Sequence, residues 1–440
     1  MRPAPRIRLR VPGTPAMIGR KMIRMISPNS PSWHGCGVLL AAIAIISSAA
    51  VASAPRFQAA ATPTPSGAQV QFANGGNVAQ VPVEMSGNLV FVAAGVNDAQ
   101  PSWFLIDTAR ATSAFDDIRA ASQNLLPSST GNTRVTSLSN ATLDFPGLKV
   151  TVASLSLISL DDISSRVGRA VQGILGADVL SQFVLVLDYE RATFQLYDPK
   201  SYHYTGKGEK MKWTLIGGVP AVSARVEVRG KGKMDGEFLI STGEPEPIVF
   251  SSSFAAAHGF GSVGGKMIPF ASVSDPERVE GKLGRVQSLT LGKTAVQDAL
   301  AVYPTESSGA SSSAEVAGTL GAGILNRFTM VLDYSGGQLI LEPNPRLLDL
   351  YTADMSGLGI IAIPPDYRAY EVAQVVAGSP AAEAGFAVGD ILDTIDGNPA
   401  SDSSLDDVRA LLRQEDSTHK ITVQRNGKSL EFTIKLKPIV

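Results

Sequence analysis

Phe104-Leu105-Ile106-Asp107-Thr108 returns later in the chain as Phe238-Leu239-Ile240-Ser241-Thr242, and the fold is read from this repeated block. Each copy is an apolar run of strand length that delivers a short polar side chain and a threonine into a loop. A second match follows in register. Gly173, Leu175, Gly176 and Ala177 correspond to Gly318, Leu320, Gly321 and Ala322, and Val186-Leu187-Asp188-Tyr189 corresponds to Val331-Leu332-Asp333-Tyr334. Long-range blocks in register identify a duplicated unit. Asp107 and Ser241 lie 134 positions apart and Asp188 and Asp333 lie 145 apart, so 11 extra residues fall inside the second copy. The Ser-rich stretch Ser307 to Ser313 is the loop expected to hold them. The copies differ where chemistry is expected, because only the first keeps a carboxylate.

A chain of 440 residues is long enough for roughly two to four domains. With 44% hydrophobic residues, 42 Gly, 27 Pro and 6% aromatics, it reads as globular, strand-rich and turn-rich. Arg2, Arg6, Arg8, Arg10, Arg20, Lys21 and Arg24 precede an apolar run from Val38 to Ile46 and then small residues through Ala52, the order of a secretory leader. Cleavage is expected after Ala52 rather than Ala54, which Pro55 follows. A start at Met17 or Met22 would leave a more ordinary leader, and an uncleaved anchor is the alternative, for which the apolar run is short. Localisation is therefore expected to be periplasmic or secreted.

Loss of residues 1–52 removes seven basic groups and no acidic ones, which takes the balance from 38 basic against 40 acidic to 31 against 40. A net charge near −9 argues against a nucleic-acid partner. Cys36 is the one cysteine and precedes the apolar run, so no lipid attachment site and no disulfide are expected in the mature chain. His34, His203, His258 and His419 are too scattered for a metal site and read as surface or loop residues. No metal and no cofactor are expected.

Five segments follow: a leader over 1–54, a mobile Ala/Pro/Gly/Ser/Gln spacer over 55–79, a first β lobe over 80–202, a second over 211–344 and a C-terminal domain over 353–440. Helix is expected over Asp178 to Gln182 and in parts of Asp116 to Gln123.

The strand, the Asp-Thr turn and the downstream Ile174-Leu175-Gly176 and Thr319-Leu320-Gly321 resemble the pepsin and retropepsin superfamily of aspartic peptidases, closest to bacterial secreted members with a PDZ domain. The resemblance spans about residues 81 to 343 and implies a mainly β fold of two retropepsin-like barrel lobes in a pepsin-like bilobal unit. It assigns the catalytic positions to Asp107 and Ser241 and the interlobe lock to Thr108 and Thr242. In that family one ionised Asp activates a water while its protonated partner hydrogen-bonds the scissile carbonyl, and the pair shares a proton because adjacent charges repel. Here Ser241 replaces one acid, and Ala109-Arg110 replaces the Gly and small residue that follow the other. A hydroxyl donates a hydrogen bond but does not cycle a proton near neutral pH. Glu237, Glu244 and Glu246 are the nearby acids that could stand in for it.

Gly378-Ser379-Pro380-Ala381-Ala382-Glu383-Ala384-Gly385, followed by Val388-Gly389-Asp390-Ile391-Leu392, resembles a PDZ domain of the bacterial protease-associated type. Ser379 suits a helix N-cap with Pro380 at the first position and Gly385 at the end. The resemblance implies a groove whose loop Gly357-Leu358-Gly359-Ile360 receives a terminal carboxylate, whose strand edge is Ile360 to Ile363 and whose far wall is a helix over Leu405 to Arg413. Gly357, Leu358, Gly359, Ile360 and Val408 are the expected peptide-binding residues. The functional expectation is an exported, polypeptide-binding, aspartic-peptidase-like protein with weakened or lost catalysis. An active endopeptidase using Asp107 and an envelope scaffold acting through the PDZ domain are the alternatives.

Overall fold

The computed structural model describes residues 67–126, 135–271, 280–305 and 314–440. The expected leader, the spacer through residue 66 and the Ser307 to Ser313 loop lie outside the described residues.

The first lobe runs β1 (Gln69–Phe72), β2 (Val78–Ser86), β3 (Leu89–Val96), β4 (Ser102–Ile106), β5 (Ala114–Asp116), α1 (Asp117–Ser122), β6 (Ser137–Phe145), β7 (Leu148–Ile158), α2 (Asp161–Val167), β8 (Gly173–Leu175), α3 (Ala177–Leu180), β9 (Val184–Asp188) and β10 (Thr193–Tyr197). The second runs β11 (Glu209–Lys212), β12 (Thr214–Ile216), β13 (Val219–Val228), β14 (Gly232–Ile240), β15 (Ile248–Phe250), α4 (Ser252–Ala257), β16 (Ile268–Ala271), β17 (Glu280–Arg285), β18 (Ser288–Leu291), β19 (Thr294–Gln297), β20 (Leu300–Pro304), β21 (Gly318–Leu320), α5 (Ala322–Leu325), β22 (Phe328–Asp333) and β23 (Gln338–Pro343). The C-terminal domain comprises β24 (Leu358–Ile363), β25 (Ala369–Val375), α6 (Pro380–Ala384), β26 (Ile391–Ile395), β27 (Asn398–Pro399), α7 (Leu405–Leu411), β28 (Thr418–Arg425) and β29 (Lys428–Lys435). The chain is mainly β, with short helices at strand ends.

The repeat appears as matched registers. Phe104, Leu105 and Ile106 pair in parallel with Gly173, Ile174 and Leu175, and Phe238, Leu239 and Ile240 pair in the same sense with Gly318, Thr319 and Leu320. A Cβ on Gly173 would lie 2.2 Å from the Phe104 ring, and one on Gly318 would lie 2.3 Å from the Val249 carbonyl oxygen. Only glycine fits beside these strands. Phe104 then stacks on Phe115 with ring centres 5.6 Å apart, and both are fully buried. In β6 and β7, Leu138, Ala141, Leu143, Leu148, Val150 and Val152 alternate inward to fill the first lobe.

One sheet crosses between the lobes. β9 and β22 pair antiparallel, with Val186 opposite Val331, Leu187 opposite Met330 and Leu185 opposite Leu332. Val186 and Val331 are also equivalent residues of the repeat, so a pseudo-two-fold axis passes between them. The spine continues through β10 on one side and β23 on the other.

Two readings of the sequence need correction. Gln69–Phe72 and the start of β2 fall inside the expected spacer, because Gln69 to Phe72 add to β7 as an edge strand with Phe72 against Phe183. The extra residues of the second copy do not sit at Ser307 to Ser313. Asp144 pairs with Gly95 on β3 as Thr290 pairs with Arg225 on β13, an offset already of 146 residues, so the insertion precedes β18. Leu283 pairs with Val302 as Ser137 pairs with Ser156, at the same offset, so β17 and β18 together correspond to β6 and the insertion precedes β17; it coincides with β16, for which the first lobe has no counterpart among the described residues. The expected helices form one or two residues away from their expected limits, as α1, α3 and α7.

Candidate functional site: the interlobe loops and the C-terminal groove

The loops after β4 and β14 meet at the axis. Thr108 Oγ1 donates to the Ile240 carbonyl at 2.6 Å and accepts from the Thr242 N–H at 3.2 Å. Thr242 Oγ1 does the same toward the Ile106 carbonyl, at 2.7 Å, and the Thr108 N–H, at 3.2 Å. Both threonines are fully buried, and their four bonds hold the loops at a fixed spacing. Thr108 and Thr242, to which the resemblance assigns an interlobe lock, are the residues that make these four bonds.

Asp107 and Ser241 face each other across the axis. Ser241 Oγ donates to Asp107 Oδ1 at 3.1 Å and accepts from the Glu244 N–H at 3.1 Å, while the Ala109 N–H donates to the same Asp107 oxygen at 3.0 Å. Burial raises the Asp107 pKa above the ordinary carboxylate value, and the Ala109 and Ser241 donors and the Arg110 charge offset part of that rise. A Cβ on Gly243 would lie 2.4 Å from Asp107 Cγ, so glycine is required there by the carboxylate opposite. By the pseudo-two-fold relation Ala109 stands to residue 241 as Gly243 stands to Asp107. Ala109 thus faces a serine where Gly243 faces an aspartate.

Of the three neighbouring acids, Glu237 stays in β14 opposite Ser223 and takes no part. Glu244 does. Burial first, and then the Glu246 charge, push its pKa up to about 7 against the pull of Arg166, and the Asp107 charge bears on it as well. The Glu246 N–H donates to Glu244 Oε1 at 3.0 Å, and burial also raises Glu246, opposed by Arg166, Arg413 and Arg409. This cluster of two acids and three arginines joins residues from α2, the Ser241 loop, and α7 with the residues that follow it. No local sequence signal could have revealed it, since its members come from three distant segments.

A carboxyl ordinarily near 4.5 that is lifted to about 7 stays protonated in the folded chain while the unfolded chain ionises. The unfolded state then binds fewer protons, so stability falls as pH rises between about 4.5 and 7 and does not recover above it. Glu244→Gln removes this term. It is expected to raise the unfolding free energy on the order of 2 kcal/mol at pH 8 and to change it little at pH 4, measured by urea denaturation at both pH values.

In the C-terminal domain, Ser379 caps α6 by accepting from the Ala382 N–H, Pro380 opens the helix and Gly385 ends it at φ +97°. Asp390 is fully buried and accepts from Arg425 Nε at 2.5 Å, Arg425 Nη2 at 2.7 Å and the Ala387 N–H at 2.9 Å, which fixes the turn into β26. Residues 371–425 match the PDZ domain family. No curated protein matches the chain. Among solved structures, the aspartic proteinase from Irpex lacteus is similar over 62% of this chain and 99% of its own, at 14% identity and a TM-score of 0.37. Basic 7S globulin from soybean is similar over 63% and 99%, at 12% identity and a TM-score of 0.38.

The PDZ groove differs from the open one expected. Leu358, Ile360 and Val408 are only 7%, 4% and 2% exposed and belong to the domain core. The Ser356 and Gly357 N–H groups donate to Asp354 Oδ1, at 2.9 and 2.6 Å, and the Leu358 N–H donates to Ser356 Oγ at 3.0 Å. An internal carboxylate and a serine hydroxyl thus take the loop donors that precede Gly359. Gly357 lies at φ +80° with the Ser379 side chain where a Cβ would be, so its glycine serves the turn as well as any ligand.

His419 is buried, not a surface residue. Its Nδ1 lies 2.8 Å from Asp396 Oδ2 and its Nε2 lies 2.8 Å from Ser417 Oγ. The order resembles a hydrolytic triad, yet the Ser417 hydroxyl also meets the Gln414 carbonyl at 2.7 Å and its own N–H donates to that carbonyl. The group pins the β26 and β28 ends together.

Proposed function

We propose that this chain is an exported polypeptide-binding protein built on an aspartic-peptidase-like cleft, with hydrolysis weakened or lost, and linked to a PDZ domain. The observation that carries this reading is the Ser241 hydroxyl at 3.1 Å from Asp107 Oδ1, where the two-fold partner acid would stand. Asp107 alone can orient or deprotonate a water, but the scissile carbonyl then lacks a neighbouring acid that both donates and recovers a proton. The threonine lock keeps the cleft shaped for an extended chain regardless of that loss. The leader-like order of residues 2–54 supports export.

Glu244 favours a second reading, in which an active endopeptidase uses Asp107 as base and the protonated Glu244 as donor. Incubating the mature chain with reduced, carboxymethylated casein from pH 3 to pH 7 separates the two. The first reading expects binding with little or no cleavage, unchanged in Asp107→Asn. Robust cleavage that is lost in both Asp107→Asn and Glu244→Gln would establish the second and reject the first.

A further inference from the structure

β24 is an edge strand by its place in the sheet, yet none of its residues is exposed. The cover comes from the first lobe. α2 packs beside β24, and the residues after it close onto the PDZ helix α7. A Cβ on Gly168, which ends α2 at φ +80°, would lie 2.5 Å from Leu405 Cβ, so the backbone there is in direct contact with the start of α7. Ala170 packs into the PDZ core. At the next residue of α7, Asp406 Oδ2 accepts from Ser86 Oγ at 2.5 Å and from the Gly87 N–H at 2.8 Å, which ties the helix to the β2–β3 turn.

Arg409 crosses from α7 to the strand. Its Nη2 donates to the Ile360 carbonyl at 2.9 Å, and its charge acts on Glu246 in the Ser241 loop. A peptide adding beside β24 would bring backbone N–H groups to the strand's carbonyls, and this one is already taken. The space left among Ser86, Arg166, Pro245, Asp406 and Arg409 is about 30 Å³, room for ordered water but not for an extended peptide.

We propose that the PDZ groove is closed in cis by α2 and Arg409, and that an extended apolar peptide entering it displaces both and releases the Ser241 to Pro247 loop of the cleft. The proposal rests on the reading of the PDZ domain as peptide-binding. Its chemical logic is competition: the strand carbonyl, the apolar wall of Leu358, Ile360 and Val408, and the space beside α7 cannot serve α2 and a peptide together. The coupling is physical continuity. α2 carries Arg166, which offsets the Glu244 and Glu246 charges, and α7 carries Arg409 and lies next to Arg413, which offset Glu246. Withdrawing these cations leaves two acids facing each other in the loop that holds Ser241.

The test uses the mature full chain, with Ser86→Ala combined with Asp406→Ala, and Asp406→Asn alone as a milder variant. Neither substituted side chain is among the expected peptide-binding residues Gly357, Leu358, Gly359, Ile360 and Val408, and both loosen the tie between the first lobe and α7. Hydrogen exchange is expected to quicken about tenfold or more at two places together, the β24 amides and the amides of Glu244 and Glu246, with β28 and β29 unchanged. A fluorescein-labelled decapeptide ending in Ala-Leu-Val with a free carboxylate is expected to bind the variants about tenfold more tightly than the parent, because less binding free energy is spent on opening. Unchanged exchange at Glu244 and Glu246, or equal affinity, or no binding by any of the proteins, overturns the proposal. Casein binding at the interlobe cleft does not depend on the PDZ groove, so failure here is distinguishable from failure of the cleft reading.

Discussion

Ser241→Asp combined with Ala109→Gly is expected to raise peptide hydrolysis at acidic pH by at least about 10²-fold over the parent chain, the range that one positioned acid-base group supplies. Both substitutions are needed. A Cβ on Gly243 would lie 2.4 Å from Asp107 Cγ, and by the pseudo-two-fold relation Ala109 is expected to crowd an aspartate at 241 in the same way. Ser241→Asp alone is therefore expected to gain far less than the pair, because the new carboxylate is pushed out of line with Asp107. A pH–rate profile supplies the check: the double variant should show a bell with two acidic limbs, the signature of two carboxyls sharing a proton. Equal rates for the parent, the single and the double variant would mean that the cleft is unsuited to catalysis for some reason other than the missing acid.

Thr242→Val is expected to destabilise the chain by about 4 kcal/mol, although it preserves side-chain shape. The loss is not one hydrogen bond but two buried backbone groups left unpaired, the Ile106 carbonyl at 2.7 Å and the Thr108 N–H at 3.2 Å. Thr108→Val should cost a similar amount, and the double variant less than the sum, since each threonine's bonds end on the other's loop. Urea denaturation of the three variants measures this. An effect below about 1 kcal/mol for Thr242→Val would show that the loops are held by the surrounding strands and not by the threonines.

The two-lobed architecture was legible because Phe104 to Thr108 and Phe238 to Thr242 are both strand and loop signals, and because Gly173 and Gly318 are demanded by the strands beside them. Asp107, Ser241, Thr108 and Thr242 could be placed opposite one another for the same reason. The location of the insertion could not be read, since a Ser-rich stretch marks a loop but not which loop grew. Only the β-pairing of Asp144 with Gly95 and of Thr290 with Arg225 fixes the correspondence. The closed PDZ groove was also invisible: Leu358, Ile360 and Val408 have the same apolar character whether a peptide or α2 covers them. The Asp354 carboxylate in the adjoining loop and the partnered His419 depend on neighbours that no local spacing specifies.

The pairing of Val186 with Val331 has a consequence for ancestry. A residue that lies opposite its own repeat equivalent is what two separate identical chains would present to each other across an exact two-fold, so an unduplicated half could have formed this spine with a second copy of itself. In such an assembly any replacement of the acid would strike both loops at once and leave no carboxylate. Joining the halves into one polypeptide removed that constraint. Asp107 could persist while position 241 drifted to serine, and Ala109 and Glu244 could then specialise on opposite sides of an axis that the backbone still obeys.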